Sequence, residues 1–350
     1  MSEGLGPERR WRPIGGCITL CHPRGDRLGP RIWLAALIAV CAVLLFAGSA
    51  PAHHVSCGDV ITQNTKLDSD LVDCPDDGIV IGADGITLDL NGHVIDGVTS
   101  SNSHGARGVV GTTTDACPAG CSRGVTIENG SIRQFFLGLE LNSLSTPDDA
   151  PTTIHRLTIS DTALAMEAFL ANMRIERNSM VGTMWVGASP QTVIERNRVS
   201  NGGIGIAGGS GARVVRNSVA GGHFGIRVFD AADNALIRNV VSGNGVGIDV
   251  TSSAYRTRIE GNVADANAED GIRVDCCENQ VVGNAATSNG DDGIDVDFGS
   301  DEYGPNVVAG NRARYNRDLG IVAALGVLDG GHNRAFGNGN PLQCLNIRCK

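Results

Sequence analysis

From about residue 174 onward, apolar and polar residues alternate in bursts of three or four, each closed by glycine or asparagine. Ile272-Arg273-Val274 and Ile294-Asp295-Val296 are two such bursts. Alternation rich in β-branched residues reads as short strands, and no stretch here carries the 3.6-residue period of a helix. The bursts recur in register. One phase is an asparagine before a small or β-branched residue, at Asn178, Asn197, Asn217, Asn239, Asn262, Asn284 and Asn311. The other is a Gly-Ile pair whose isoleucines are Ile206, Ile226, Ile248, Ile272, Ile294 and Ile321, spaced by 20, 22, 24, 22 and 27 residues. A second asparagine follows the first by five residues at Asn244, Asn267, Asn289 and Asn316.

Strands this short cannot close a sandwich at a fixed period near 22 residues. A coil of three short strands and three turns can. The pattern therefore predicts an all-β solenoid, a parallel β-helix, in which each coil buries its inward Ile and Val on the next. The chain beyond residue 52 has room for roughly thirteen coils, a stack about 60 Å long at the spacing of paired strands. The asparagines have a physical reason to recur. A turn in every coil leaves backbone groups facing inward, and an Asn side chain offers both donor and acceptor to its own coil and its neighbour. Stacked asparagines then form a ladder.

The amino-terminal half repeats less cleanly. DGITLDLNGHVIDG at 84–97 parallels RGVTIENGSIRQF at 123–135, and the Gly-, Thr- and Ser-rich segment 98–122 between them is expected to project as a loop. A second excursion is expected at 143–151. Residues 53–76 should cap the solenoid and form its first coil, 77–340 should form the helix, and 341–350 a disulfide-closed tail. Residues 1–52 look like a targeting segment. Arg24, Arg27 and Arg31 precede an apolar run over 32–47, and Ala50-Pro51-Ala52 supplies small residues for cleavage. That describes a signal peptide, with a retained anchor as the alternative, since the 16-residue run is shorter than the ~20 residues of a bilayer span. The expected location is secreted or extracytoplasmic, with no membrane attachment after cleavage.

Removing that segment leaves 22 basic and 35 acidic residues, a net charge of −13. Such a balance argues against nucleic acid and anionic membrane as partners, and disfavours a polyanion unless a cation bridges the two. Eight of the 11 cysteines remain, an even number suited to an oxidising compartment. The local pairings are Cys57 with Cys74, Cys117 with Cys121, and Cys344 with Cys349. The state of the adjacent Cys276 and Cys277 is open. No pair has CxxC spacing, and no histidines accompany the cysteines at finger spacing.

GITLDLNGHVIDG, followed by repeated N-x-V and N-x-x-G-I-x-V coils, resembles the right-handed parallel β-helix repeat proteins of pectin-lyase-like fold, which include the NosD-like periplasmic proteins. The resemblance covers about 57–340. It implies a right-handed helix with a groove along the outside of one sheet. It says little about activity, because the fold hosts lyases, hydrolases, epimerases and adhesins. The GHG element of the hydrolases and the D-P-H-[ED] element of the uronan epimerases are absent.

The Gly-Ile strand is the candidate face. If its isoleucines point inward, the next residues form an outward column, Arg227, Asp249, Arg273 and Asp295. Alternating charges suit a surface ion-pair ladder, and equally a polar groove for sugar hydroxyls. Two residues on, Asp275 and Asp297 would stack ~5 Å apart, near the separation of a retaining glycosidase pair. With Asp270 and Asp292 entering the same strands, these carboxylates form the densest acidic patch. It reads as a solvated turn, a calcium site (Asp270, Asp292, Asp275, Asp297) or a catalytic group with Arg273. His223 occupies the slot held later by Glu269 and Asp291, and is either a surface residue or a proton donor or acceptor.

Two function classes remain. One is a secreted or surface module that binds polysaccharide or an envelope glycan, expected as a monomer with no certain cofactor beyond possible calcium. The other is a polysaccharide-acting enzyme, a uronan lyase or epimerase before a glycoside hydrolase. A NosD-like role in metal delivery is a minor third.

Overall fold

The computed structural model describes residues 54–98, 105–111, 120–143, 146, 148–297 and 304–350. The leader and its expected cleavage site lie outside them. The described residues contain strands and no helix, so no helix among them is long and apolar enough to cross a membrane.

One sheet of thirteen parallel strands runs from Asp59–Ile61 to Cys344–Leu345. This is the Gly-Ile sheet, and its strand count equals the number of coils the period predicts. A second parallel array starts at Thr65–Lys66 and ends at Leu328–Gly331, and a third starts at Leu71–Cys74 and ends at Arg334–Phe336. Two long strands, Thr126–Arg133 and Thr152–Ser160, run through the corner and belong to both. The chain therefore winds through three sheets per coil as a right-handed parallel β-helix. Ile204, Ile226, Ile248, Ile272, Ile294 and Ile321 are register partners in succession, each fully buried; the expected first member, Ile206, lies two residues further along its strand, opposite Val228, so the Gly205-Ile206 pair is out of register with the later Gly-Ile pairs.

Asparagines stack at the turns. Each of Asn178, Asn197, Asn217, Asn239, Asn262, Asn284 and Asn311 donates from its backbone N and from Nδ2 to Oδ1 of the asparagine one coil on, and the series ends on Asn333. A second series links Asn244, Asn267, Asn289, Asn316 and Asn338 in the same way. It explains the Gly-Ile pair. A Cβ at Gly271 or Gly293 would lie 2.5 or 2.6 Å from Nδ2 of Asn289 or Asn316, so only glycine lets the second series pack against the strand. A third, shorter set was not foreseen: Asn279 caps the Thr257 amide and Asn306 caps Asn279, at 2.8 Å each.

The segment 98–122 does not leave the helix as a whole. Arg107–Gly111 returns as a strand of the Gly-Ile sheet, between Ile79–Ile81 and Leu137–Asn142, because Val109 and Val110 bury against the core. Residues 99–104 and 112–119 lie outside the described residues, as do 144, 145 and 147 of the second excursion. Cys57 bonds Cys74 and Cys344 bonds Cys349. Cys121 is disulfide-bonded, and its expected partner Cys117 lies outside the described residues. Cys276 and Cys277 are buried thiols.

Candidate functional site

Strand register places the outward column of the Gly-Ile sheet as expected: Arg227 faces Asp249, Asp249 faces Arg273, and Arg273 faces Asp295. The contacts along it are unequal. Asp249, 3 % exposed, is held between two guanidiniums. Arg227 Nε lies 3.2 Å from its Oδ2, an ion-pair contact that lacks hydrogen-bond alignment. Arg273 places Nε at 3.2 Å and an Nη at 3.1 Å from Oδ1. The other Nη of Arg273 reaches Glu269 at 3.5 Å, and its Nε lies 3.9 Å from Asp275. Its guanidinium is thus drawn away from Asp295, whose carboxylate forms no hydrogen bond or ion pair among the described residues. Burial, followed by repulsion from Asp270, Asp297, Asp292 and Asp275, pushes the Asp295 carboxyl up to about 7. Burial also raises Asp275, with repulsion from Asp249 and Asp297 opposed by attraction to Arg273.

Asp270 and Asp292 have a structural task. Asp270 Oδ1 accepts from the Asp292 amide at 3.1 Å, and Asp292 Oδ1 accepts from the Leu319 amide at 2.7 Å, so each carboxylate caps the next coil. Burial raises both carboxyls against those bonds, Asp292 to about 6. Three carboxylates converge to within 4.8 Å, those of Asp291, Asp292 and Asp318, which share the turn before the Gly-Ile strand. Of the expected calcium set, Asp292 is in that group, and Asp270, Asp275 and Asp297 are not. His223 is exposed on the earlier side of the same turn.

Sequence reasoning missed the aromatic continuation of this face. In the outward column Trp185 pairs with Gly205 and Gly205 with Arg227. The indole lies over Gly205, where any side chain would collide with it. Phe224 and Phe229 flank it, each with ring centroids 5.5 Å away, and the Arg227 guanidinium is 5.9 Å from the Phe224 ring. A shallow open depression lined by Phe169, Leu170, Gly187 and Ser189 lies alongside. The available signal was that Trp185 is the only tryptophan beyond residue 52. Also missed was His155 on the second sheet, whose Nε2 lies 2.5 Å from Glu128 Oε2.

Residues 165–338 match the family described as periplasmic copper-binding protein (NosD). The chain is a NosD-like right-handed parallel β-helix repeat protein. Among solved structures, a mutant of the periplasmic alginate epimerase AlgG is 14% identical, with 83% of this chain and 78% of that one covered at a TM-score of 0.50. The A-module of the Azotobacter vinelandii mannuronan C-5 epimerase AlgE4 is 12% identical, covering 77% and 89% at 0.46. Tailspike protein 3 of bacteriophage CBA120 is 11% identical, covering 86% and 55% at 0.41. At such identities the likeness is one of fold. No curated protein matches the sequence.

Copper, the metal in that family's description, favours imidazole and sulfur donors. Among the described residues, His54, His93 and His155 are each engaged by a carboxylate of Asp68, Asp70 or Glu128. Met166, Met173, Met180 and Met184 are sealed in the core, and the one convergent group of three is all carboxylate. His223 and His332 are exposed and the Cys276 and Cys277 thiols are buried, and none of the four belongs to that convergent group, so the described side chains do not assemble a copper centre. The all-oxygen group suits a hard cation.

Proposed function

We propose that this NosD-like helix is an exported glycan-binding protein of the cell envelope or extracellular space, and that its ligand lies along the Gly-Ile sheet. The observation that carries the reading is the continuity of one outward face, on which the Trp185–Phe224–Phe229 cluster runs directly into the Arg227–Asp249–Arg273–Asp295 column. Aromatic faces stack on the apolar faces of sugar rings, and the fixed carboxylates and guanidiniums offer acceptors and donors to hydroxyls. The ion pairs hold those groups in place. Coils repeat every ~4.8 Å, so a chain laid along the axis would meet equivalent groups in successive coils. Calcium is the cation that the carboxylates of Asp291, Asp292 and Asp318 would take. The test is affinity electrophoresis and calorimetry with neutral and uronic-acid polymers, with and without calcium. Trp185→Ala is expected to weaken neutral-glycan binding at least tenfold, and no binding to any polymer would refute the reading.

Asp295 favours a second reading, a polysaccharide-acting enzyme. A half-buried carboxyl that titrates at about 7 with no ionic partner is suited to accept or donate a proton at neutral pH. Asp275 and Asp297 flank it on the same face. Appearance of unsaturated product absorbance with uronan substrates, lost in Asp295→Asn, would move the assignment to a lyase; inverted sugar configuration without that absorbance would indicate an epimerase.

A further inference from the structure

The corner between the second and third sheets turns at one position per coil, which is the residue before the stacked asparagine from Arg177 onward and Arg156, before Leu157, one coil earlier. That residue is in the left-handed region. At three later coils it is glycine, with φ of +64° at Gly261, +66° at Gly283 and +66° at Gly310. Glycine adopts this conformation freely and residues with a Cβ do so at a cost. In the five preceding coils the position is arginine each time. Arg156, Arg177, Arg196, Arg216 and Arg238 have φ of 56°, 57°, 55°, 56° and 55°. The same position is Asn129 one coil before them, with φ of 62°, and His332 after the glycines, with φ of 64°, so the turn accepts several residues and five consecutive arginines call for an account beyond the fold.

All five are exposed. Their backbones stack in order, with the amides of Arg177, Arg196, Arg216 and Arg238 each bonded to a carbonyl in the next coil at 2.9–3.2 Å. The side chains therefore leave the corner at strand spacing, in a stripe about 20 Å long. Arg156 meets Glu128 at 3.4 Å and Arg196 meets Glu195 at 3.1 Å. Arg177, Arg216 and Arg238 have no acidic partner among the described residues, nor do Arg198 and Arg213 beside them. The chain carries −10 overall, so this stripe is a local reversal of its charge.

We infer that the arginine corner is a second binding edge, separate from the Gly-Ile face, for an extended acidic polysaccharide with one carboxylate per sugar unit laid parallel to the helix axis. Guanidinium forks bind carboxylates in paired hydrogen bonds, and a row of them at a fixed rise selects a linear polymer over a compact anion. The rise of ~4.8 Å per coil is close to the length of one sugar ring, whereas each strand of a nucleic acid duplex presents a phosphate every ~3.4 Å and falls out of step within a few coils.

The experiment uses the full chain and a triple variant, Arg177→Gly, Arg216→Gly and Arg238→Gly, the residue that the same turn uses elsewhere, so the backbone is preserved. Binding of polygalacturonate and alginate is measured by calorimetry at low and moderate salt. The expected result is wild-type binding that weakens steeply with salt, and at least tenfold weaker, less salt-dependent binding by the triple variant, whose melting temperature is unchanged or higher. The matching triple glutamine variant, which keeps the strained turns and loses the charge, should lose binding equally. Trp185→Ala should keep it, which separates this edge from the Gly-Ile face. Equal binding by wild type and the glycine variant, retained binding by the glutamine variant, or no polyuronate binding at low salt would each overturn the inference. Tighter arginine-dependent binding of duplex DNA or of phosphatidylglycerol vesicles than of polyuronate would overturn the ligand class.

Discussion

Replacing Asn262 by leucine should show how much the stacked asparagines hold the helix together. Asn262 is fully buried. Its Oδ1 accepts from Asn239 N at 2.9 Å and Asn239 Nδ2 at 3.0 Å, and its Nδ2 donates to Leu236 O at 2.8 Å and Asn284 Oδ1 at 3.0 Å. Leucine removes all four bonds and leaves their partners out of reach of water. The partners are not equally harmed. Asn284 Oδ1 keeps the backbone donor of residue 262, and Asn239 Nδ2 keeps Val214 O. Asn239 N loses its acceptor outright, which costs about 1–3 kcal/mol, and the other losses add about 1 kcal/mol each at most, for an expected total of roughly 3–4 kcal/mol. Coils interact chiefly with their neighbours, so the damage should concentrate between the coils on either side of residue 262 and broaden the unfolding transition. Urea denaturation followed by far-UV circular dichroism measures both. A loss below about 1 kcal/mol with an unchanged transition would mean that the side-chain bonds merely replace equivalent ones to water, and the reasoning would fail.

Three further outcomes are expected. The raised carboxyls of Asp295, near 7, and Asp292, near 6, bind protons in the folded state that the unfolded chain does not, so stability should fall as pH rises from about 4 through about 7; melting temperatures between pH 5 and 8 should show this, with a flatter profile for Asp295→Asn. Millimolar calcium should raise the melting temperature and Asp292→Asn should reduce the rise, whereas a melt indifferent to calcium, with Arg273→Ala clearly destabilised, would mark the patch as ion pairs and caps alone. Replacing Cys57 and Cys74 by alanine should destabilise the first coil by about 3 kcal/mol, from the 17-residue separation that their disulfide closes, and limited proteolysis near residue 60 should accelerate.

What the sequence made legible was whatever repeats with the coil. Asn262 and Ile272 recur because each coil must satisfy the same turn and fill the same interior, and a fixed register then places every outward residue, which is how Arg227, Asp249, Arg273 and Asp295 were found in line. Side-chain direction within that column was not legible. Arg273 could have turned to Asp295, and it turns to Asp249, whose carboxylate is the more buried of the two. Trp185 escaped notice for a related reason: its importance comes from Gly205 beneath it and Phe224 and Phe229 beside it, and none of these is close to it in the chain.

Four of the five corner arginines stand in the same repeats, as RN in IERNSM, IERNRVS, VVRNSV and LIRNVV, and the fifth, Arg156, precedes Leu157. The asparagine does not explain its neighbour. A turn position that holds asparagine at Asn129, arginine in five coils, glycine in three and histidine at His332 is constrained by the backbone only to accept a positive φ. The choice of side chain there is free of the core, since all five point to solvent. Net charge concealed the result as well, because a total of −10 averages the acidic turn around Asp291 and Asp292 with the basic corner. In a solenoid the useful unit of charge is the column, whose members lie one strand apart, and two columns on different corners of one helix can face opposite classes of ligand.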